Sequence, residues 1–466
     1  MFNIEKFGDR VVAINDDNKS FTYSDLKKIE LEIKEIISKR TLVFSLCSNT
    51  IGSLAGYVSF LNNRIVPLLL TQELDRELFD ELLEKYHPEY IWAPNNWDLK
   101  DYEIVYNNYD YKLYKTGMQS YPLYEELALL LTTSGSTGSP KLVRQSYKNI
   151  QSNTESIIQY LGITEKERPI TTLPMNYTYG LSIINTHLYV GATILLSERK
   201  ILEKAFWDFF KEKGATSFGG VPYTYEILNK LRFFRMELPT LKTMTQAGGK
   251  LSPELHKKFA EFAHDTKREF VVMYGQTEAT ARMAYLPSER SIEKYGSMGI
   301  AIPGGKFELV DIDKKVIEET EKVGELVYKG DNVTLGYAES GTDLIKGDER
   351  NGCLFTGDMA RQDKDGFYYI VGRKKRFLKI FGNRVNLDEV ERLIKSGYSN
   401  IDCACSGVDD QMKIYVTNIN STEELLEIKE FVSNKTNLNK SAFDVEIVDI
   451  IPKNEAGKTL YSKLGK

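Results

Sequence analysis

The chain has 466 residues, and its 61 Lys and Arg against 66 Asp and Glu give a formal net charge of −5. Hydrophobic residues make up 42% and charged residues 27%, a composition that supports a buried core and excludes a largely disordered chain. The slight acidity argues against a nucleic-acid partner. A chain of this length predicts about three structural units, or one large unit and one small.

The N-terminal sequence MFNIEKFGDR contains no apolar signal core, and no apolar run approaches the ~18–20 residues that cross a bilayer. We therefore expect a cytoplasmic protein with no membrane span. The cysteines are too few for a disulfide framework, so we expect reduced, buried thiols at Cys47, Cys353, Cys403 and Cys405.

Apolar strand-like runs alternate with helical patterns through most of the chain, which predicts α/β layers with a largely parallel sheet. The first helix is predicted at residues 24–38, where apolar side chains share one helical face. Strands are predicted at residues 41–48, 63–70, 90–94, 127–133, 241–246 and 270–275.

Three of these strands run directly into loops of small or polar residues. The first loop is rich in Gly, Ser and Thr, the second is Ala247-Gly248-Gly249, and the third is Gln276-Thr277-Glu278. Ordinary turns would explain any one of them. Ligands bind at the carboxyl edge of open α/β sheets, so the three together favour a ligand site.

The C-terminal part of the chain has a different sequence pattern from the alternating strands and helices before it. Residues 296–337 are rich in glycine and β-branched side chains and predict a β-rich subdomain. Beyond Lys375 we predict a helix at 387–395, a strand at 412–419, a helix at 421–435 opened by a Ser421–Glu424 capping box, and a strand at 444–451. These elements would form an independent α+β unit of about 90 residues.

The strongest local signal is the loop TTSGSTGSPK at residues 132–141. Glycines let backbone N–H groups surround an anion, hydroxyls add donors, and Lys141 adds positive charge, which together suit a polyphosphate. The order of residues differs from that of a Walker loop. A surface linker is disfavoured, because the loop lies between two apolar strands.

Three further residues have two interpretations each. Glu278 is either a Mg²⁺ ligand or a carboxylate at a helix start. Asp358 either accepts hydrogen bonds from a ribose or belongs to a plain turn. Lys458 is either a frayed terminal lysine or a reagent carried by the small domain. The basic run at residues 373–384 fits a solvated face or a hinge better than a nucleic-acid patch.

Over residues 22–464 the chain resembles the adenylate-forming superfamily of acyl-CoA synthetases, luciferases and peptide-synthetase adenylation domains. The resemblance is carried by motifs in the family's order: TTSGSTGSPK, QAGGKLSPEL, MYGQTEAT, GELVYKGDNVTLGY, LFTGDMA, DGFYYIVGRKKRFLKIFGNRVNLDEVE and PKNEAGKTLYSKL. It implies a large N-terminal domain of layered α/β subdomains with a β-rich subdomain, at residues 1–374. A small mobile α+β domain at residues 375–466 is expected to follow.

The resemblance also implies a reaction in two steps. A carboxylate attacks the α-phosphate of Mg-ATP, giving an acyl-adenylate and pyrophosphate, and a thiol of coenzyme A or of phosphopantetheine on a carrier protein then displaces AMP. The implied nucleotide-binding residues are Thr133, Ser134, Gly135, Ser136, Thr137, Gly138, Lys141, Gly248, Gly249, Tyr274, Gly275, Gln276, Asp358 and Arg373.

Other roles are implied for single residues. Thr277 contacts the α-phosphate, Glu278 holds Mg²⁺, Lys458 bridges the carboxylate and the phosphate, and Lys375 is the hinge. Tyr177, Thr178, Tyr179 and Gly180 border the acid pocket.

The chain also departs from the family pattern. Tyr177 stands where relatives often have His, and Lys375 stands where many have Asp. No Asp or Glu occurs between Arg168 and Glu198, so an α-amino acid substrate is not expected. Three alternative functions stay open: an amino-acid- or aryl-acid-activating enzyme that loads a carrier protein, a non-catalytic nucleotide-binding relative, and luciferase-like oxidation. The choice between coenzyme A and phosphopantetheine as the thiol acceptor also stays open.

Overall fold

The structure is a computed structural model and describes residues 1–132, 141–381, 383–398, 400–419, 421–453 and 459–464. The chain divides into two compact units, Met1–Phe307 with Tyr328–Leu354 and Glu308–Val327 with Phe355–Lys466. Compactness does not locate a hinge, so the division predicted between residues 374 and 375 stays a prediction. Across the described ranges, no helix is both long and apolar enough to cross a membrane.

The α-helices are, in chain order, α1 (Tyr23–Ile36), α2 (Ile51–Asn62), α3 (Arg76–Tyr86), α4 (Tyr147–Leu161), α5 (Thr178–Val190), α6 (Lys204–Lys213), α7 (Pro222–Lys230), α8 (Pro253–Asp265), α9 (Leu387–Gly397) and α10 (Thr422–Thr436).

The strands in the first half of the chain are β1 (Val11–Asn15), β2 (Ser20–Thr22), β3 (Leu42–Cys47), β4 (Val66–Thr71), β5 (Tyr90–Pro94), β6 (Glu103–Asn108), β7 (Tyr111–Lys115), β8 (Leu127–Thr132), β9 (Leu142–Ser146), β10 (Pro169–Ile170), β11 (Ile194–Leu196) and β12 (Ser217–Gly220). They are followed by β13 (Thr243–Gln246), β14 (Glu269–Tyr274), β15 (Ala284–Leu286), β16 (Ile300–Ala301), β17 (Lys306–Val310), β18 (Gly324–Lys329), β19 (Gly336–Ala338), β20 (Cys353–Gln362), β21 (Tyr368–Arg373), β22 (Phe377–Ile380), β23 (Asn383–Asn386), β24 (Cys403–Val408), β25 (Gln411–Val416) and β26 (Phe443–Ile447).

The first unit contains two sheets. One has the order β16-β15-β14-β13-β12-β10-β11-β1-β2, and the other has the order β19-β9-β8-β4-β3-β5-β7-β6. The central pairs of both sheets, such as β12–β13, β13–β14 and β3–β4, are parallel, whereas pairs toward the edges, such as β14–β15 and β8–β9, are antiparallel. The expected layered α/β architecture is confirmed, with two sheets in place of one.

Helix α2 lies in the core that the two sheets share. It is buried from Ile51 to Leu61, and a helix that is apolar on all sides must be buried in this way. Two glycines admit large rings, since a Cβ atom at Gly56 would lie 2.3 Å from Trp92 Nε1 and one at Gly52 would lie 2.4 Å from a Tyr111 ring atom.

The second unit carries most of the sheet β17-β18-β20-β21, the hairpin β22-β23 and the sheet β24-β25-β26. Helices α9 and α10 pack on the last of these sheets through apolar residues such as Val390, Ile394 and Ile428. Ser421 caps α10, its Oγ accepting from the Glu424 N–H at 3.2 Å. The expected α+β unit after Lys375 is therefore present.

Candidate active site

Two of the three predicted ligand loops leave neighbouring strands. Strands β13 and β14 pair in parallel, with Gln246 opposite Val272, so the loops that follow them begin side by side. The third loop follows β8 in the other sheet, where Thr132 pairs with Leu142 across the hairpin β8–β9. The site is therefore built from the ends of strands in two sheets.

A close backbone approach requires glycine in the β14 loop, and a positive φ with close side-chain contacts favours it in the β13 loop. A Cβ atom at Gly275 would lie 1.7 Å from the carbonyl oxygen of Ala281. Gly248 has φ +83°, and a Cβ atom there would lie 2.5 Å from Tyr177 Oη. At Gly249 a Cβ atom would lie 3.1 Å from a Pro222 side-chain carbon.

Gly248 and Tyr177 thus join the predicted nucleotide loop to the predicted acid pocket. Tyr177 precedes helix α5, and Tyr179 lies in its first turn with Oη donating to the Thr245 carbonyl oxygen at 2.8 Å. The Thr178 hydroxyl donates to the Thr280 carbonyl oxygen. Burial raises the pKa of Tyr177 to about 12, so its phenol is protonated at neutral pH.

The Glu278 carboxylate is fixed by a residue distant in sequence. Tyr337 Oη donates to Glu278 Oε1 at 2.7 Å, while the Glu278 carbonyl oxygen accepts from Thr334 N and from Arg350, each at 3.0 Å. Burial, together with the charge of Glu278, raises the pKa of Tyr337 to about 12, so the phenol remains a donor. Beside it, Gln276 Nε2 donates to Tyr274 Oη at 3.2 Å.

Two cations lie over the same tyrosine. The Arg350 guanidinium carbon is 4.6 Å from the centre of the Tyr337 ring, and Lys141 Nζ is 5.9 Å from it. Lys141 also pairs with Glu339. Lys141 ends the predicted phosphate loop, so this cluster brings the loop's lysine and Glu278 to one ring. Tyr337 and Arg350 were not predicted, although Tyr337 closes the motif GELVYKGDNVTLGY.

A strained turn separates Glu278 from the acid pocket. Thr280 has φ +65° and ψ −61°, and the Ala281 N–H donates to the Ala279 carbonyl oxygen at 2.7 Å, which makes a γ-turn of the rare, positive-φ type. The Thr280 hydroxyl anchors the turn by donating to the Asn332 carbonyl oxygen at 2.7 Å.

Glu278 fits the single-carboxylate mode of Mg²⁺ binding. Within the described ranges, Oε2 of Glu278 has no hydrogen-bond or ion-pair partner, while Tyr337 holds Oε1. The same ranges contain no group of three or more His, Cys, Asp or Glu arranged to hold a metal ion. Mg²⁺ commonly binds through one or two carboxylates and substrate phosphates, which is what this arrangement offers.

Three predicted residues belong to the second unit. Arg373 Nε pairs with Asp358 Oδ1 at 2.8 Å across the antiparallel strands β20 and β21, and the Asp358 side chain is nearly fully buried. Lys375 lies in the short 3-10 helix Lys374–Arg376 that connects β21 to β22. Lys458 and the loop residues Thr133, Ser134, Gly135, Ser136, Thr137 and Gly138 lie outside the described residues.

Comparison with known proteins places this chain in a family. The family model described as "AMP-binding enzyme" matches residues 68–338, more than half of the chain. The chain belongs to this family of AMP-binding enzymes. The predicted membership of the adenylate-forming superfamily is thereby confirmed.

Several relatives of this AMP-binding enzyme are named as CoA ligases. The 4-coumarate--CoA ligase-like 2 of Arabidopsis thaliana is 25% identical, over 92% of this chain and 81% of the relative. The peroxisomal OPC-8:0-CoA ligase 1 of the same plant is 29% identical, over 73% of this chain and 64% of the relative. The chain thus spans less than two thirds of that relative.

A solved structure shows the same fold. The o-succinylbenzoate CoA synthetase of Bacillus subtilis, determined with its acyl-adenylate OSB-AMP, superposes with a TM-score of 0.81 at 21% identity, covering 100% of this chain and 98% of that one. The predicted fold class is confirmed. The roles assigned to single site residues remain predictions.

Proposed function

We propose that the protein is an AMP-forming carboxylate–thiol ligase. An oxygen of the acid's carboxylate attacks the α-phosphorus of ATP, the bond from that phosphorus to the bridging oxygen of the β-phosphate breaks, and pyrophosphate leaves. A thiol then attacks the acyl carbon of the acyl-adenylate and displaces AMP. The observation that carries the proposal is the convergence of Lys141, the last residue of the predicted phosphate loop, with Glu278 and Tyr337.

The loops after β13 and β14 are proposed to hold the nucleotide. Gly248 and Gly249 leave room beside the adenine, Tyr274 lines it, and Thr277 contacts the α-phosphate. Lys141 and the loop before it neutralise the outer phosphates. Glu278, oriented by Tyr337, would hold Mg²⁺, which when bound supplies positive charge to the phosphates.

The chemistry requires no nucleophile from the protein, so catalysis rests on positioning and electrostatics. Lys458 is proposed to neutralise charge at the α-phosphate during adenylate formation. The hinge is proposed at Lys375, because the residue before it pairs with an earlier part of the chain and the residue after it pairs with a later part. Lys374 Nζ pairs with Glu325 at 2.6 Å, and Arg376 Nε pairs with Asp388 at 2.8 Å.

The acceptor thiol is proposed to be coenzyme A, because the relatives named above are CoA ligases; phosphopantetheine on a carrier protein is the second candidate. The acid does not transfer from the relatives, whose names include 4-coumarate, OPC-8:0 and oxalate.

Pyrophosphate release and hydroxamate trapping across fatty, aryl, hydroxy and amino acids test the proposal. We expect release that depends on both ATP and one class of acid. Lys458→Ala should lower adenylate formation by roughly 10²–10³-fold. The same variant should make thioester from preformed acyl-adenylate at near the wild-type rate, since Lys458 serves only the first step.

Lys463→Ala is the matched control, because Lys463 is an exposed lysine of the same segment. Normal adenylation by Lys458→Ala would refute the role of that lysine, and absence of pyrophosphate release with every acid would refute the ligase itself.

A further inference from the structure

A cavity of about 400 Å³ lies in the first unit, a volume within the ordinary range of ligand pockets. Its walls come from strands β12 and β13 and from helices α4 and α5. One end is lined by exposed charged residues, Lys242, Lys267 and Glu269, and by the half-buried Glu167, which pairs with Lys242 at 3.1 Å. The polar residues at the buried end are Ser182, Thr186, His187, Thr245 and Arg282.

The buried end of this cavity adjoins the predicted acid pocket. Thr245 lines the cavity, and its carbonyl oxygen accepts from Tyr179 Oη at 2.8 Å. The Arg282 guanidinium carbon lies 4.0 Å from the centre of the Tyr179 ring. The Tyr179 ring is in turn 6.4 Å from the ring of Tyr177, whose hydroxyl reaches Gly248. A continuous row of contacts therefore leads from the nucleotide loop to the cavity.

Arg282 is a buried cation that has no anion beside it among the described residues. Its side chain is 2% exposed, and it donates to Ser182 Oγ at 3.0 Å and to the thioether sulfur of Met273, a weak acceptor. Its Nε is buried and has no hydrogen-bond partner. In the part of the chain that the structure describes, no carboxylate oxygen lies within 4.0 Å of this guanidinium.

Among the described residues, the other arginine that is almost fully buried does have a carboxylate partner. Arg144 is fully buried and pairs with Glu349, and Arg376, which is 12% exposed, pairs with Asp388 and Glu391. A buried charge is costly unless it is paired and hydrogen-bonded. The missing partner of Arg282, at a cavity wall next to the acid pocket, is therefore expected to come from a ligand.

We propose that the substrate is an acid with a second carboxylate, and that this distal carboxylate binds Arg282 in the cavity. The inference rests on the proposed ligase function and names its substrate class. A planar guanidinium matches a carboxylate in geometry and charge. Apolar side chains on the cavity wall, including Ile157, Leu161 and Ile183, are suited to the methylene groups of such an acid.

His187 does not supply the cation in place of Arg282. Its Nδ1 lies 2.7 Å from the Ile183 carbonyl oxygen, and burial lowers its pKa to about 4, so the imidazole is neutral at neutral pH. The Ser182 hydroxyl, which accepts from Arg282, and the Thr186 hydroxyl are the uncharged polar groups of this part of the cavity wall.

The test compares dicarboxylic acids of increasing length with their monomethyl esters, which keep the length and lose one charge. Pyrophosphate release measures kcat/KM for each pair in the wild type, Arg282→Met, Arg282→Lys and Arg268→Met. Arg268 is the matched control, because its guanidinium donates to the carbonyl oxygens of Leu238 and Leu241 and does not line the cavity.

We expect the wild type and Arg268→Met to prefer one diacid over its half-ester by at least about tenfold, because a buried donor left without its acceptor penalises the analogue. Arg282→Met should abolish this preference while still accepting the half-ester. Arg282→Lys should restore part of it, since the charge returns without the planar fork. A wild type that prefers half-esters or monoacids, or a preference that survives in Arg282→Met, would overturn the inference.

Failure of the ligase itself gives a different pattern. If the wild type releases no pyrophosphate with any acid, the proposed function fails, and the inference is decided by thermal shift. A bound diacid should raise the melting temperature of the wild type and not that of Arg282→Met. No shift, or an equal shift in both proteins, would overturn it.

Discussion

Two buried arginines in the first unit differ in how many hydrogen-bond and ion-pair partners the protein supplies to each guanidinium. Arg144 on β9 donates to the carbonyl oxygens of Leu335, Tyr337, Lys346 and Gly347 and pairs with Glu349. Arg282, which follows the strained turn at Thr280, has one hydroxyl, one thioether and the face of one ring.

The difference distinguishes a charged side chain that stabilises the fold from one that is proposed to bind a ligand. Arg144 ties β9 to the segment around β19, and all its groups act within the protein. Glu278 resembles Arg282 in this respect, since one of its carboxylate oxygens is held by Tyr337 while the other remains for a partner from outside. Burial alone does not distinguish the two classes; the count of internal partners does.

The largest effect is expected from Arg144→Met. The substitution removes a donor from several carbonyl oxygens, including the buried one of Leu335, and each unsatisfied buried acceptor costs about 1–3 kcal/mol. The Glu349 carboxylate is half exposed and regains water, so its loss of a cation adds little. Because several acceptors are affected together, urea unfolding should show a loss of at least about 3 kcal/mol in the free energy of unfolding.

Lys148→Met is the control for that experiment, because Lys148 is an exposed lysine near β9 whose ion pair with Asp331 is solvated. It should change the free energy of unfolding by less than about 1 kcal/mol. A similar loss in both variants would show that Arg144 is not the anchor that its contacts indicate.

The second effect is the pH dependence of stability. Burial lowers the pKa of His187, in the cavity, and of His256, beneath the sheet, to about 4 each. A depressed histidine contributes stability that is complete above the unfolded pKa of about 6.5 and is lost as pH falls toward 4. Each should contribute about 2 kcal/mol less at pH 5 than at pH 7.5.

His187→Gln should remove the contribution of His187 to the change in unfolding free energy with pH, and His256→Gln should remove the contribution of His256. The two variants sharpen the comparison, because an anion hidden beside Arg282 would raise the pKa of His187 but not that of His256. Urea unfolding at pH 7.5, 6 and 5 measures the slopes. A His187→Gln slope equal to that of the wild type would indicate such an anion.

Local pattern predicted a minority of the helices and strands that the structure describes. The strand at residues 90–94 matches β5, and the helix predicted at 24–38 is α1, which begins at Tyr23 because Thr22 and Asp25 form a capping box. The last strand was predicted to run to residue 451 but ends at Ile447, since apolar residues continue past its pairing with β25. Helix α2 was missed because it is apolar on every side and shows no helical periodicity.

The site was predicted only in part. Motifs singled out Glu278, Gly248 and Tyr177 as candidates, and the structure places Gly248 against the Tyr177 hydroxyl. Tyr337 and Arg282 escaped prediction for one physical reason: their roles depend on neighbours that are far apart in sequence or absent. The role of Tyr337 follows from its hydrogen bond to Glu278, and that of Arg282 from the lack of a nearby carboxylate in the part of the chain that the structure describes. Neither the hydrogen bond nor the missing carboxylate can be inferred from the spacing of residues in the sequence.

The third effect concerns Tyr337→Phe, which removes the donor to Glu278 and leaves the ring in place. A hydrogen bond to a charged group contributes about 1.5–3 kcal/mol, so adenylation at limiting Mg²⁺ should fall roughly tenfold or more. Added Mg²⁺ should recover part of the activity, since the freed carboxylate can still bind the ion. Tyr114→Phe is the control, because Tyr114 donates to the Trp97 carbonyl oxygen away from the site.

A Mg²⁺ requirement that Tyr337→Phe leaves unchanged would assign Glu278 to its place at the start of the 3-10 helix Thr277–Ala279 and remove it from the group of ligand-directed charges.

The smallest effect is expected for the stability of Arg282→Met. Methionine fills much of the same volume, and the charge that it removes has no carboxylate partner to strand, so the free energy of unfolding should change by less than about 1 kcal/mol. The Ser182 hydroxyl keeps its own donation to the Tyr179 carbonyl oxygen at 2.7 Å, which leaves no new orphaned group there. Urea unfolding beside Arg144→Met provides the comparison under one set of conditions. A loss as large as that of Arg144→Met would mean that Arg282 holds α5 against the sheet through Tyr179. Both arginines would then stabilise the fold, and the number of internal partners would not distinguish a structural charge from a ligand-binding one.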